Sequence, residues 1–130
     1  MKVTVTAPDA PAAIGPYSHA VIHNGLLLTS GQIGVDPSTG RMAGPDAAGQ
    51  TRQCMRNLDA VLRAAGATWD DVLKATIYLA DMADFTAVNE EYKNYFMSGY
   101  PARCCVATTA MALNAKVEIE LLAAVSPRKG

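Results

Sequence analysis

Three stretches of this chain constrain its fold more than any others: "LLLTS" from Leu26, "VLKATIYLA" from Val72 and "IELLAAV" from Ile119. Side chains of a strand alternate between its two faces, so a strand with one wet face reads apolar, polar, apolar. These stretches carry apolar or small residues in both phases, the pattern of strands covered on both sides. The rest of the chain offers two helical patterns, enough to cover one face of a sheet. The second face therefore calls for another chain, and the expectation is an obligate oligomer with sheets packed together.

Local signals place the elements. "KVTVT" (Lys2 to Thr6) alternates as a short strand, and "APDAPAAIGPYS" is a loop whose prolines exclude regular structure. In "HAVIHNGLLLTSGQIGV" the pair Asn24-Gly25 lies between two apolar runs, where both residues tolerate the positive φ of a type I′ turn; this predicts a β-hairpin. "DPSTG" is a further turn. From Asp46 to about Ala65, Cys54, Leu58, Val61, Leu62 and Ala65 recur on one helical face, with Arg52, Arg56, Asp59 and Arg63 off it. Asp46 is the expected N-cap and Gly66 the stop. A strand over residues 71–80 follows, then a helix from about Asp84 to Phe96 with Phe85, Val88, Tyr92, Tyr95 and Phe96 on its packed side. Strands near residues 103–109 and 117–125 complete one domain over residues 1–130. The fold class is α+β: a mixed sheet with two helices.

Composition excludes several functions. Half of the 130 residues are hydrophobic and 18% are charged, so the chain is past the disordered regime. A net charge of −1 supplies no field for nucleic-acid backbones. No apolar run approaches the ~20 residues of a membrane span, and no signal-peptide pattern opens the chain. The expected location is the cytoplasm. Three cysteines, an odd count, argue against a disulfide framework. Cys54 fits a buried helical position, while Cys104 and Cys105, adjacent on a strand, would face opposite ways. His19 and His23 lie four apart without an acidic or thiol ligand at metal spacing and read as surface or packing residues, so no metal is implied.

Within "YPARCCVATTA", Arg103 opens an apolar strand that reads as largely buried, and a guanidinium there needs an anionic partner. In "KVEIELLAAV", Glu118, Glu120 and Leu122 share one face, opposite Val117, Ile119 and Leu121. Glu118 beside Arg103 on neighbouring antiparallel strands is the most economical pairing. A structural salt bridge and a functional pair are the two readings that follow.

Nearly the whole chain resembles the RidA/YjgF family of reactive-intermediate (enamine/imine) deaminases. The resemblance rests on "APDAPAAIGPYSHA", "LLLTSGQIGVDPSTG", "QTRQCMRNLDAVLRAAGATWDDVLKATIYLADMADFTAVNEEY", "YPARCCV" and "KVEIELLA" taken together. It implies a chorismate-mutase-like fold and a homotrimer with clefts between subunits. It also implies a small carboxylate substrate and no cofactor. Residue by residue, Arg103 matches the arginine that clamps the substrate carboxylate, and Cys105 a cysteine whose backbone N–H and C=O bind substrate. Glu118 matches the acid that positions or polarises the attacking water. Tyr17 matches a cleft tyrosine, and Gly31 a glycine whose carbonyl approaches the ligand; a missing side chain suits such close approach.

The expected activity is hydrolysis of 2-imino acids such as 2-iminopropanoate and 2-iminobutanoate to 2-oxo acids and ammonia. The chain departs from the family pattern at Ala107, at Met111-Ala112 and at His19. These positions bear on substrate choice, a 2-aminomuconate-type intermediate included. Two rivals stand beside this reading: an endoribonuclease or translation inhibitor, against which the missing basic stripe counts, and a non-catalytic small-acid binder.

Overall fold

The computed structural model describes residues 1–126; residues 127–130 of the expected domain lie outside the described residues. Among the described residues nine strands form: Val3–Val5 (β1), Ala20–His23 (β2), Leu26–Thr29 (β3), Gln32–Ile33 (β4), Val35–Asp36 (β5), Arg41–Met42 (β6), Val72–Leu79 (β7), Ala102–Ala107 (β8) and Val117–Ala124 (β9). Helices span Ala47–Ala64 (α1) and Phe85–Tyr92 (α2). The main sheet runs β1-β2-β3-β9-β7-β8, with β4 also pairing β9, and β5 and β6 make a separate small hairpin. Its ladders are antiparallel except β7 with β8, which are parallel and joined by the crossover through α2.

Short-range chemistry explains the element ends. Asn24 (φ 49°) and Gly25 (φ 77°) both adopt the left-handed region and close the β2-β3 hairpin as expected. The Asp46 carboxylate accepts from the Gly49 N–H at 2.8 Å, capping α1. Gly66 (φ 77°) stops it one residue beyond the C-cap Ala65. The second helix is shorter than the pattern predicts. After Tyr92 the chain tightens into a 3₁₀ turn, Lys93–Tyr95. That turn brings Tyr95 and Phe96 to 5.1 and 5.5 Å (ring centroids) from Trp69, so an aromatic cluster takes the place of the last helical turns.

Both helices lie on one face of the sheet. Beneath them, Leu27 of β3, Ala75, Ile77 and Leu79 of β7, and Val117, Ile119, Leu121 and Ala123 of β9 are buried. The other face carries Leu26, Leu28 and Val106 at 40, 47 and 40% exposure, with Leu122 half-buried. The doubly apolar strands thus have one covered and one open side within the chain.

Two expectations for the Arg103 strand fail. β8 is an edge strand with one neighbour, and Arg103 is exposed rather than buried. Arg103 and Glu118 are also not on neighbouring strands, because β7 lies between β8 and β9. The register pairs Arg103 with Ala75 and Glu118 with Tyr78, which project to opposite faces. A salt bridge between the two within one chain is excluded. The parallel crossover, which sends the chain from β7 through α2 to the outside of the sheet, is the physical reason.

Candidate functional site

Tyr17, Gly31 and Glu118 come together. They line a cavity of about 520 Å³ whose walls include Ile14, Ile33 and Leu113. The loop carrying Tyr17 is held by His19, which is buried: its Nδ1 accepts from the Ala7 N–H at 2.8 Å, and its Nε2 donates to the Pro11 carbonyl at 2.7 Å. One neutral tautomer satisfies both bonds. The packing reading of His19 therefore applies, and the residue anchors the loop that carries Tyr17. Ser30 Oγ donates to the Ser18 carbonyl at 2.6 Å, tying the same loop to the residue before Gly31.

Gly31 and Glu118 are matched sterically. A Cβ on Gly31 would stand 2.8 Å from the Glu118 carboxyl carbon, so only glycine leaves that carboxylate its place. Glu118 is half-buried, and among the described residues its carboxylate makes no hydrogen bond or ion pair. Burial, and then the nearby Glu120 carboxylate, raise its pKa above the ordinary glutamate value. A carboxyl group in that condition can hold or release a proton beside a cavity.

Arg103 and Cys105 do not line this cavity. The Arg103 guanidinium lies 5.4 Å from the Phe85 ring centroid and 5.3 Å from that of Tyr92, and its Nη1 donates to Asn89 Oδ1. It borders a separate groove of about 380 Å³ with Asn89, Tyr92, Tyr100 and Pro101. Among the described residues the buried Tyr92 hydroxyl has no hydrogen-bond partner, and burial pushes its pKa up to about 12. Cys105 projects to the helix side in register with Ile77, and burial raises its thiol pKa despite Arg103 nearby. A thiol so shifted is a weak nucleophile at neutral pH.

Phe85 and Tyr92 pack against the core as their helical spacing predicts; their second role beside Arg103, and that of Asn89, is not predicted from the sequence. The signal was available, since 85, 89 and 92 fall on one helical face and "VNEEY" is part of the family pattern. The Tyr78–Glu120 hydrogen bond (2.8 Å) was also missed.

The chain is 42% identical over 127 residues to the human 2-iminobutanoate/2-iminopropanoate deaminase, covering 98% of this chain and 93% of that protein. It is 45% identical to the Arabidopsis thaliana Reactive Intermediate Deaminase A, chloroplastic, over 94% of this chain and 65% of the plant protein. The chain thus spans just under two thirds of that plant relative. The family described as Endoribonuclease L-PSP matches residues 7–125. The chain belongs to the RidA/YjgF family. Its fold is that of solved RidA/YjgF proteins. The E. coli YjgF gene product aligns with a TM-score of 0.90 at 38% identity, covering 94% of this chain and 98% of that one. E. coli TdcF, solved with bound serine, aligns with a TM-score of 0.91 at 37% identity, covering 95% and 99%. Among the described residues no helix is long and apolar enough to cross a membrane.

Proposed function

We propose that this chain hydrolyses reactive 2-imino and 2-enamino acids, such as 2-iminopropanoate and 2-iminobutanoate, to 2-oxo acids and ammonia. The observation that carries the reading is Glu118: a half-buried carboxyl with raised proton affinity, without a side-chain partner among the described residues, held open by Gly31 at the wall of a cavity. The names of relatives at 40 to 45% identity support it.

In this reading a water adds to the imine carbon while Glu118 takes or returns its proton. The C=N bond becomes a C–N single bond, the nitrogen is protonated, and ammonia leaves as the carbonyl forms. Positioning and general acid–base help suffice for such a step, and no cofactor enters it. Arg103 clamps the substrate carboxylate, for which a planar fork of donors is suited. Cys105 contributes its backbone, and Tyr17 and the Gly31 carbonyl line the ligand.

Arg103 and Glu118 project from opposite faces of one sheet, and this supports a cleft built from two chains. We infer a homotrimer in which the open sheet faces pack together and each cleft takes Glu118, Tyr17 and Gly31 from one subunit and Arg103 from its neighbour. The partners are then a small carboxylate substrate and two further copies of the chain, and the compartment is the cytoplasm.

Ammonia release from freshly generated 2-iminobutanoate tests the activity, beside an RNA-cleavage assay. Release above the uncatalysed rate is expected, with RNA left intact: among the described residues of its own chain no Lys or Arg lines the Glu118 cavity, whereas nucleic-acid grooves depend on many. Cleavage of RNA without ammonia release would reverse the assignment.

A further inference from the structure

Glu118 has a neighbour that the proposed chemistry leaves unused. Tyr78 stands directly across the β7-β9 ladder from Glu118, yet its hydroxyl does not bond to Glu118. It donates instead to Glu120 Oε1 at 2.8 Å. Glu120 is two residues along β9, on the same open face as Glu118 and in register with Thr76. Two carboxylates at this spacing, roughly 7 Å apart along a strand, repel each other, and fixing the position of one sets how strongly it acts on the other. We propose that Tyr78 and Glu120 are positioning residues for Glu118, a hydrogen-bonded pair that fixes an anionic neighbour beside it.

A phenol donating to a carboxylate stabilises the ionised carboxylate and turns it toward the donor. Glu120 so held keeps its charge near Glu118 and off the cavity, leaving Glu118 free of a partner. Around Glu118, β9 contributes Glu120, the exposed Lys116 lies just before that strand, β7 contributes Tyr78, and β8 contributes Cys104 one strand further out. The N-terminal loop brings Tyr17, and α1 places buried Cys54 on the far side of the sheet. Of these, Glu120 is the charge that raises the proton affinity of Glu118, after burial itself. The Tyr78 phenol is raised in turn, first by its bond to Glu120, as a donor to an anion should be.

The proposal rests on reading Glu118 as the group that handles the water's proton, and its test is separable from that reading. The full-length protein is labelled with ¹³C at glutamate carboxyls, and the Glu118 signal is assigned by its loss in Glu118→Gln. Its titration midpoint is followed beside the pH profile of ammonia release. Glu120→Gln should lower the midpoint by about half a unit to one and a half, the effect of removing one charge at this distance in a partly wet site. Glu120→Asp should restore it. Tyr78→Phe removes the donor that holds the Glu120 carboxylate in place, so the midpoint should fall by less. A midpoint unmoved in both Glu120→Gln and Tyr78→Phe, with melting temperature alone reduced, overturns the proposal. If Glu120→Gln does not fold, Tyr78→Phe decides alone. A shifted midpoint with no ammonia release would leave the pair intact and refute the deaminase reading.

Discussion

At the scale of single residues, the site is defined by what has been left out. Gly31 is not in a glycine-only conformation; its side chain is missing because Glu118 occupies the space. Gly31→Ala should therefore push the carboxylate aside. Turnover is expected to fall at least about tenfold, since small misplacements of a reacting group are costly, while melting temperature changes little. An active Gly31→Ala enzyme would mean that Glu118 need not stand where it does. Glu118 itself should weaken the fold at neutral pH. Its pKa in the folded chain is raised by burial, so its favourable contribution is full below the unfolded value near 4.5 and is lost as pH rises through the folded one. Glu118→Gln is then expected to melt at a higher temperature than the parent at pH 7, with the difference closing toward pH 4. Thermal melts across that range check the sign.

At the scale of elements, α2 works as a bed for Arg103. Phe85, Asn89 and Tyr92 follow at helical spacing, and the guanidinium lies over the two rings with Asn89 at its edge. Asn89→Ala should loosen the fork without removing its charge. KM for 2-imino acids should then rise several-fold, with kcat and melting temperature nearly unchanged; an equal fall in stability would make Asn89 merely structural. The elements were legible where their chemistry is local: the Asn24-Gly25 hairpin, the Asp46 cap and the α1 face all lie within a few residues of their cause. What β8 pairs with was not legible in the same way. "ARCCVA" reads as a strand, but its neighbour depends on a crossover of more than twenty residues, so a pairing of Arg103 with Glu118 looks economical in the sequence although β7 intervenes. Tyr78 was missed for a related reason. In "ATIYLA" it is an ordinary strand aromatic, and only the ladder register brings its hydroxyl to Glu120.

At the scale of the whole molecule, one sheet has a wall of helices on one side and leucines on the other. Leu28, 47% exposed at the centre of the open face, tests what that side is for. The parent protein should sediment at about three times its 13.7 kDa chain mass. Leu28→Glu should instead give a folded monomer without deaminase activity, because a charge at an exposed position costs the lone chain little but blocks sheet-to-sheet packing. A parent that sediments as a monomer at micromolar concentration would dismiss both the trimer and the shared cleft.

The opposed directions of Arg103 and Glu118 have a genetic consequence. If every cleft draws its clamp from one subunit and its acid from the next, two dead proteins can revive each other. Chains carrying Arg103→Ala and chains carrying Glu118→Gln, co-expressed in equal amounts, would assort at random into rings of three. Every mixed ring then holds one cleft with both native groups, so about a quarter of all clefts regain function. Mixing the same chains after folding, without exchange of subunits, should give nothing.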